Sequence, residues 1–301
     1  MRAAGIALLL LSSTMALAQT PTPGPAPAPE TLDHETVYSD VQMERDQSIS
    51  RETVESVLDP VDTVDGQFAR WKQPVCFNVY GLSAAAKYVV ERRMKDIAHQ
   101  VGAPVDRADP CTPTATIVFT ADPMATLESI AKVRAWLVPG LGMIRSRVRE
   151  AQPIQAWYNT MVVNDNGRRF LEYDGYTDEP VWGSSDRISR IESGVTTEMA
   201  SVLMVVDTKA IMGMSLATLA DHFALMSLAQ ARALRGCRDI ETIANLLKKD
   251  CAPGLQPANI TNNDIALLTG LYKTPDADMG RLQRQRIIGN MRKSLEDQAK
   301  H

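Results

Sequence analysis

Ser201-Val-Leu-Met-Val-Val-Asp207 decides the fold. An unbroken apolar run of this length between polar residues reads as a buried strand. Behind it lies Ser215–Arg235, predicted as one long helix. Gly213 breaks the preceding pattern, and the Ser215 hydroxyl can accept an orphan N–H of a first helical turn. Leu216, Leu219, Phe223, Met226 and Leu234 keep roughly helical spacing, and alanines and leucines fill the other sides. A helix apolar nearly all round belongs inside a larger domain. Gly236 is its expected stop, with Arg232 and Arg235 suited to the dipole of the last turn.

Two further helical segments are predicted downstream. Asp239-Ile-Glu-Thr-Ile-Ala-Asn-Leu-Leu247 has a short amphipathic pattern. Pro257 then precedes Asn259-Ile-Thr261-Asn-Asn-Asp264-Ile265-Ala-Leu-Leu268-Thr-Gly-Leu271-Tyr272. Thr261 and Asp264 make a variant capping box, with Asp where Glu or Gln is usual, and Ile265, Leu268 and Leu271/Tyr272 form the buried stripe. The helix, the Pro, the Ile-Thr-x-x-Asp cap and the closing Leu-Tyr resemble the C-terminal part of metzincin-type zinc peptidases, and of uncharacterised secreted bacterial proteins with a degenerate zincin-like domain. The resemblance covers residues 66–275 in outline and is specific only from Pro257 to Tyr272.

The resemblance implies where a metal would sit. An active zincin carries His-Glu-x-x-His on a helix: the two His reach one Zn²⁺ and the Glu activates its water. The corresponding positions read His222, Phe223 and Met226, and the third ligand position, six residues on, reads Arg232. One ligand of three cannot hold catalytic zinc, and no general base stands beside it. The chain has four His, and no two are spaced i, i+4. The resemblance therefore implies the fold without the activity: no catalytic residue, no metal ligand and no cofactor are assigned.

The N-terminal residues read as processing and spacing segments. Residues 1–18 carry Arg2, an apolar Ile6–Leu11 core and Ala16-Leu-Ala18, the pattern of a signal peptide cleaved before Gln19. No Cys stands at that point to take a lipid. Residues 19–42 hold Pro21-Thr-Pro-Gly-Pro-Ala-Pro-Ala-Pro29 and then acidic sequence, expected to form a flexible tether. Residues 43–65 are expected to be a partly ordered arm, with a short helix near Glu52–Leu58 ahead of Pro60. The domain itself is assigned to 66–301, long enough to bury a sizeable core.

That domain is predicted to open with a βαβ unit. Pro74–Tyr80 is the first strand, Gly81 turns the chain and Ser83 caps a helix. Ala86, Val90, Met94, Ile97 and Val101 lie on one helical face, and Gly102 and Pro104 end it. Ala115–Thr120 is the second strand, and a helix over Met124–Val138 follows. Ile154–Val163 is a predicted strand whose Asn164-Asp-Asn-Gly167 turn could make a hairpin. Asp174–Asp186 reads as a surface loop. Arg281–Gln298 is a charged helix with a narrow apolar stripe, expected to dock on the domain. The fold class is α+β and zincin-like: a small mixed sheet with a βαβ start, a long buried central helix and a helical C-terminal part.

Four Cys in a chain with a leader point to two disulfides. Cys76 in the first strand and Cys111 just ahead of the second would be brought together by strand pairing, and Cys237 and Cys251 flank the Asp239 segment. No C-x-x-C is present to favour zinc.

Charge and motifs exclude several function classes. The chain has 32 basic and 36 acidic residues and 5% aromatics, which argues against a general nucleic-acid surface. No stretch beyond the leader approaches the roughly 20 apolar residues of a membrane span. Arg145, Arg147 and Arg149 read as a solvated helix face. Ser129-Ile-Ala-Lys132 fits S-x-x-K but lacks its partner motifs. Asn259-Ile-Thr261 is a formal sequon whose Thr serves better as the helix cap. Asp106/Asp109 and Asp174/Asp178/Glu179 fall in loops as solvated acids. The expected function is a secreted or periplasmic, envelope-associated protein that binds or supports rather than catalyses. The alternative is a peptidase or other hydrolase with a non-standard site.

Overall fold

Strand pairing puts the residues of that apolar run at the centre of a mixed sheet. The structure is a computed structural model that describes residues 48, 50–60, 63–108, 110–138, 152–164, 171–173, 180–182, 193–231, 236–249 and 251–298. The leader at 1–18 and the tether at 19–42 lie outside the described residues, as do Arg145, Arg147 and Arg149. The sheet starts with β1 (Phe77–Tyr80), α1 (Ala84–Val101) and β2 (Ala115–Thr120), with β1 and β2 paired in parallel. Ser83 Oγ accepts from Ala86 N, and Gly102 closes α1 in the left-handed region at φ 80°. Val90, Met94, Ile97 and Val101 are buried along one face of α1. The Asp122 carboxylate caps α2 (Pro123–Val133), and a 3₁₀ turn, Ala135–Leu137, takes the place of the last part of the expected helix.

β3 (Ile154–Asn164), β4 (Leu171–Tyr173), β5 (Pro180–Trp182) and β6 (Val195–Asp207) complete the strands. The four-stranded sheet has the order β1-β2-β6-β3, with β6 parallel to β2 and β3 antiparallel to β6. The partner of β3 is thus β6 rather than the next strand in sequence. β4 and β5 form a separate two-stranded ladder, so Pro180–Trp182 is a strand inside the segment expected to be a loop.

β6 shows why its sequence is unbroken. Val202, Met204 and Val206 join the main core, while Leu203 and Val205 meet Leu127 and Val138 on the opposite face. A strand covered on both faces needs no polar alternation. β6 also begins at Val195, ahead of the expected Ser201. Its polar start is buried but satisfied: Gln67 Oε1 accepts from Thr197 N, and Thr197 Oγ1 accepts from Val64 N.

α3 (Leu216–Leu228) begins at Ser215 as expected but stops well short of Arg235. Ala229 is already extended, at φ −133° and ψ 145°. Ala231 bridges Leu58, and Asp59 N donates to Gln230 O at 2.8 Å. Alanines permit a helix, but here pairing with a distant segment takes their backbone. Arg232 lies outside the described residues.

The predicted Asp239–Leu247 helix is a single 3₁₀ turn, Ile243–Asn245. The Asn245 amide donates to the carbonyls of Arg238, Ile240 and Leu255, and its Oδ1 accepts from Arg238 N. Side chain-to-backbone bonds of this kind compete directly with a helix ladder. α4 (Asn262–Lys273) carries the full Thr261/Asp264 capping box. α5 (Gly280–Gln298) docks on α4 through Ile287 and Met291. Gly270 lets the two approach: a Cβ there would lie 2.8 Å from the Ile287 carbonyl oxygen.

Residues 42–301 form one compact unit, and its core reaches back before residue 66. Residues 50–57 are helical, and Val54, Val57 and Leu58 are buried in the main cluster. Disulfides join Cys76 to Cys111 and Cys237 to Cys251, with Cα–Cα distances of 5.9 and 5.3 Å.

Candidate functional site

α3 carries the candidate positions His222, Phe223 and Met226. It is packed against α1 on one side and the 3₁₀ segment on the other. His222 is 5% exposed, and its Nδ1 lies 2.9 Å from the Ile243 carbonyl oxygen. That acceptor makes Nδ1 the protonated nitrogen of the neutral ring. Burial pulls the imidazole down to about 4, against the raising effect of the Ile243 bond; the charges of Lys248 and Arg238 add to the lowering.

Phe223 is fully buried and meets Phe119 edge-on, with ring centroids 5.7 Å apart. Met226 is only half-buried and packs against the margin of the core. Its position one turn further along falls where α3 is about to end. Phenylalanine offers no donor atom and methionine only a soft thioether, so this helix face lacks the nitrogen and oxygen set that zinc takes. Among the described residues, no group of three or more His, Cys, Asp or Glu is placed to hold a metal ion.

Sequence reading missed Asp221, beside His222. It is fully buried and receives Arg93 through both carboxylate oxygens, at 2.6 and 3.1 Å. Asp221 Oδ2 also accepts from Ile260 N at 2.8 Å. One carboxylate thus ties α1, α3 and the approach to α4 together. An acid on a helix apolar nearly all round was the available signal. Asp264 plays a similar part, accepting from Thr242 Oγ1 at 2.5 Å and Ile243 N at 2.9 Å. Its carboxyl is pushed up by burial, and those bonds pull it back.

The C-terminal end of α3 is also built from elsewhere. Of its last four carbonyls, that of Leu225 accepts from Ala229 N. Those of Met226, Ser227 and Leu228 accept from Tyr158 OH, Trp71 Nε1 and Tyr272 OH at 2.9, 2.7 and 2.8 Å. Every orphan carbonyl of that end is satisfied.

A second cluster, also unread in the sequence, gathers Arg70, Lys72, Glu198 and Asp276. Arg70 is 2% exposed and donates to Thr274 O at 2.7 Å and to Asp276, which Lys72 also reaches. Burial lowers Arg70 to about 10 and lowers Lys72; it raises Glu198, against Lys72 and Arg70. These charges neutralise one another and clamp the turn after α4 to the sheet.

No protein-family model, no curated protein and no solved structure matches the chain.

The other motif residues stay apart. Ser129 Oγ is spent on Ala125 O and is exposed, as is Lys132. Thr261 is the α4 cap. Asp109, Asp174, Asp178 and Glu179 lie outside the described residues. Among the described residues no helix is long and apolar enough to cross a membrane. Tyr80, Tyr88 and Val89 are exposed around the start of α1, at 49%, 65% and 47%.

Proposed function

We propose that the chain is a secreted or periplasmic, disulfide-stabilised protein whose zincin-like domain is catalytically degenerate and acts by binding or as a structural part of the envelope. The observation that carries this reading is the state of His222, whose Nδ1 is engaged by Ile243 O while Phe223 beside it fills the core. The layout supports the zincin-like part: a mixed sheet with a βαβ start, a buried helix after its inner strand and a capped helix behind it. Two disulfides suit an oxidising compartment.

The test is a set of denaturant melts on the wild type and on His222→Ala and His222→Gln, with and without chelator. Chelator leaves every midpoint unchanged if His222 is a buried neutral side chain. If chelator lowers the wild-type midpoint but not that of His222→Ala, His222 is a ligand and the proposal fails. The positive readout is pH. The folded-state value near 4 lies below the ordinary 6.5, so between these values the unfolded chain binds the extra proton. This stabilisation is therefore complete above pH 6.5 and is lost as pH falls toward 4. Asp264, shifted upward, works in the opposite sense. The difference between wild type and His222→Gln isolates the imidazole, and the variant should lose stability less steeply across that window.

A further inference from the structure

We propose that Cys237–Cys251 is a reducible latch that holds the N-terminal arm on the domain. The arm is the helical segment 50–57 with Leu58 and Asp59, and it contributes Val54, Val57 and Leu58 to the core. Two described links fasten it: the Leu58–Ala231 bridge, in which Asp59 N donates to Gln230 O at 2.8 Å, and the Arg238 side chain, whose Nε donates to Ser56 O at 3.0 Å. They land on Gln230 and Ala231, just past the end of α3, and on Arg238, next to Cys237. The Cys237–Cys251 bridge closes the stretch of chain that carries the 3₁₀ turn, where Ile243 and Thr242 bond His222 and Asp264. The bridge thus stiffens the surface on which the arm rests.

The two disulfides differ in how an attacking thiolate meets them. Cys237 and Cys251 are both half-exposed, so either sulfur can be attacked and the other can leave into a partly solvated setting. Cys76 is 1% exposed, beside β1. Attack on Cys111 would expel a Cys76 thiolate into the core, and burial disfavours that charged leaving group. The reductant is a dithiol, whether a small molecule or a protein of the thioredoxin-like class. One of its thiolates attacks a sulfur of the bridge and forms a mixed disulfide. Its second thiol then attacks the mixed disulfide, leaving an oxidised cyclic disulfide and two cysteine thiols. Two electrons and two protons pass to Cys237 and Cys251.

Dithiothreitol is the probe. The oxidised protein is incubated with a graded series, quenched by alkylation and mapped by mass spectrometry, with amide hydrogen exchange followed in parallel. Labelling of Cys237 and Cys251 is expected to run at least roughly tenfold ahead of Cys76 and Cys111. Exchange at residues 50–60 should rise with it while β1 and β2 stay protected. The double substitution Cys237→Ser/Cys251→Ser should show the same arm exchange without reductant. If that variant does not fold, the wild-type time course decides. Simultaneous or earlier opening of Cys76–Cys111 overturns the proposal, as does an arm that stays protected once Cys237–Cys251 is open.

Discussion

The two ends of α3 are finished in opposite ways. At the start, exposed Ser215 bonds a backbone N–H two residues away, Ala217 N, at 3.2 Å. At the finish, Tyr158, Trp71 and Tyr272 reach the last carbonyls from sequence separations of 68, 156 and 44 residues. The first end is made by its own sequence. The second exists only once β3, the segment before β1, and α4 have converged on it. A local cap competes with water and contributes modestly; a buried carbonyl deprived of its only donor costs a full desolvation penalty. The distant caps should therefore matter more to the folded state than the near one.

Phe223→Ala sets the upper bound for the helix, because it empties a fully buried aromatic site between the two ends. Transfer and cavity costs together should destabilise the fold by about 3–5 kcal/mol, read as a lowered denaturant midpoint at unchanged m. A loss below about 1 kcal/mol would mean that the α3 core is loosely packed, and the contrast between the ends would lose its frame.

Tyr158→Phe and Tyr272→Phe are the next largest changes. Each removes one hydroxyl, keeps the ring and leaves the carbonyl of Met226 or Leu228 without that donor in a part-buried setting. Each should cost about 1–3 kcal/mol. The two carbonyls are two residues apart, so the double variant should depart from additivity by at least about 0.5 kcal/mol. Neutral single variants would show that water replaces the phenols, and that this end of the helix is wetter than its burial indicates.

What could be read from the sequence follows the same division. Ser83, Ser215 and the Thr261/Asp264 box announce helix starts because the cap and its acceptor are neighbours in the chain. The βαβ opening and the burial of Ile265, Leu268 and Leu271 were equally legible, since period and spacing are local. The stop at Leu228 was not. No Gly or Pro stands between Ala229 and Arg235 to break a helix, yet Ala229 is already extended and Ala231 pairs with the distant Leu58. The Asp239–Leu247 segment misled for a related reason: its amphipathic pattern is genuine, but Asn245 binds the carbonyls of Arg238 and Ile240, at the start of the expected helix, and that of Leu255 beyond it. At the candidate site, the positions His222, Phe223 and Met226 came from the family resemblance and not from a local pattern. Asp221 with Arg93, and Arg70 with Asp276, join residues 128 and 206 positions apart, and no local pattern encodes such pairs.

Ser215→Ala is the smallest change and the sharpest test of the contrast. The hydroxyl is exposed and its bond to Ala217 N is 3.2 Å long, so the loss should be about 0.5–1 kcal/mol, at the low end for a lost N-cap. Water can take over the freed N–H, and Ser215→Gly should cost only a few tenths of that unit. α3 has 13 residues and is roughly 20 Å long at 1.5 Å per residue, so the two ends share no partner. Ser215→Ala combined with Tyr272→Phe should therefore add within about 0.5 kcal/mol. A clear coupling between them would show that the helix frays as one unit from either end. A Ser215→Ala loss equal to that of Tyr272→Phe would show that local and distant caps are worth the same here, and the distinction between the ends would then be one of origin and not of energy.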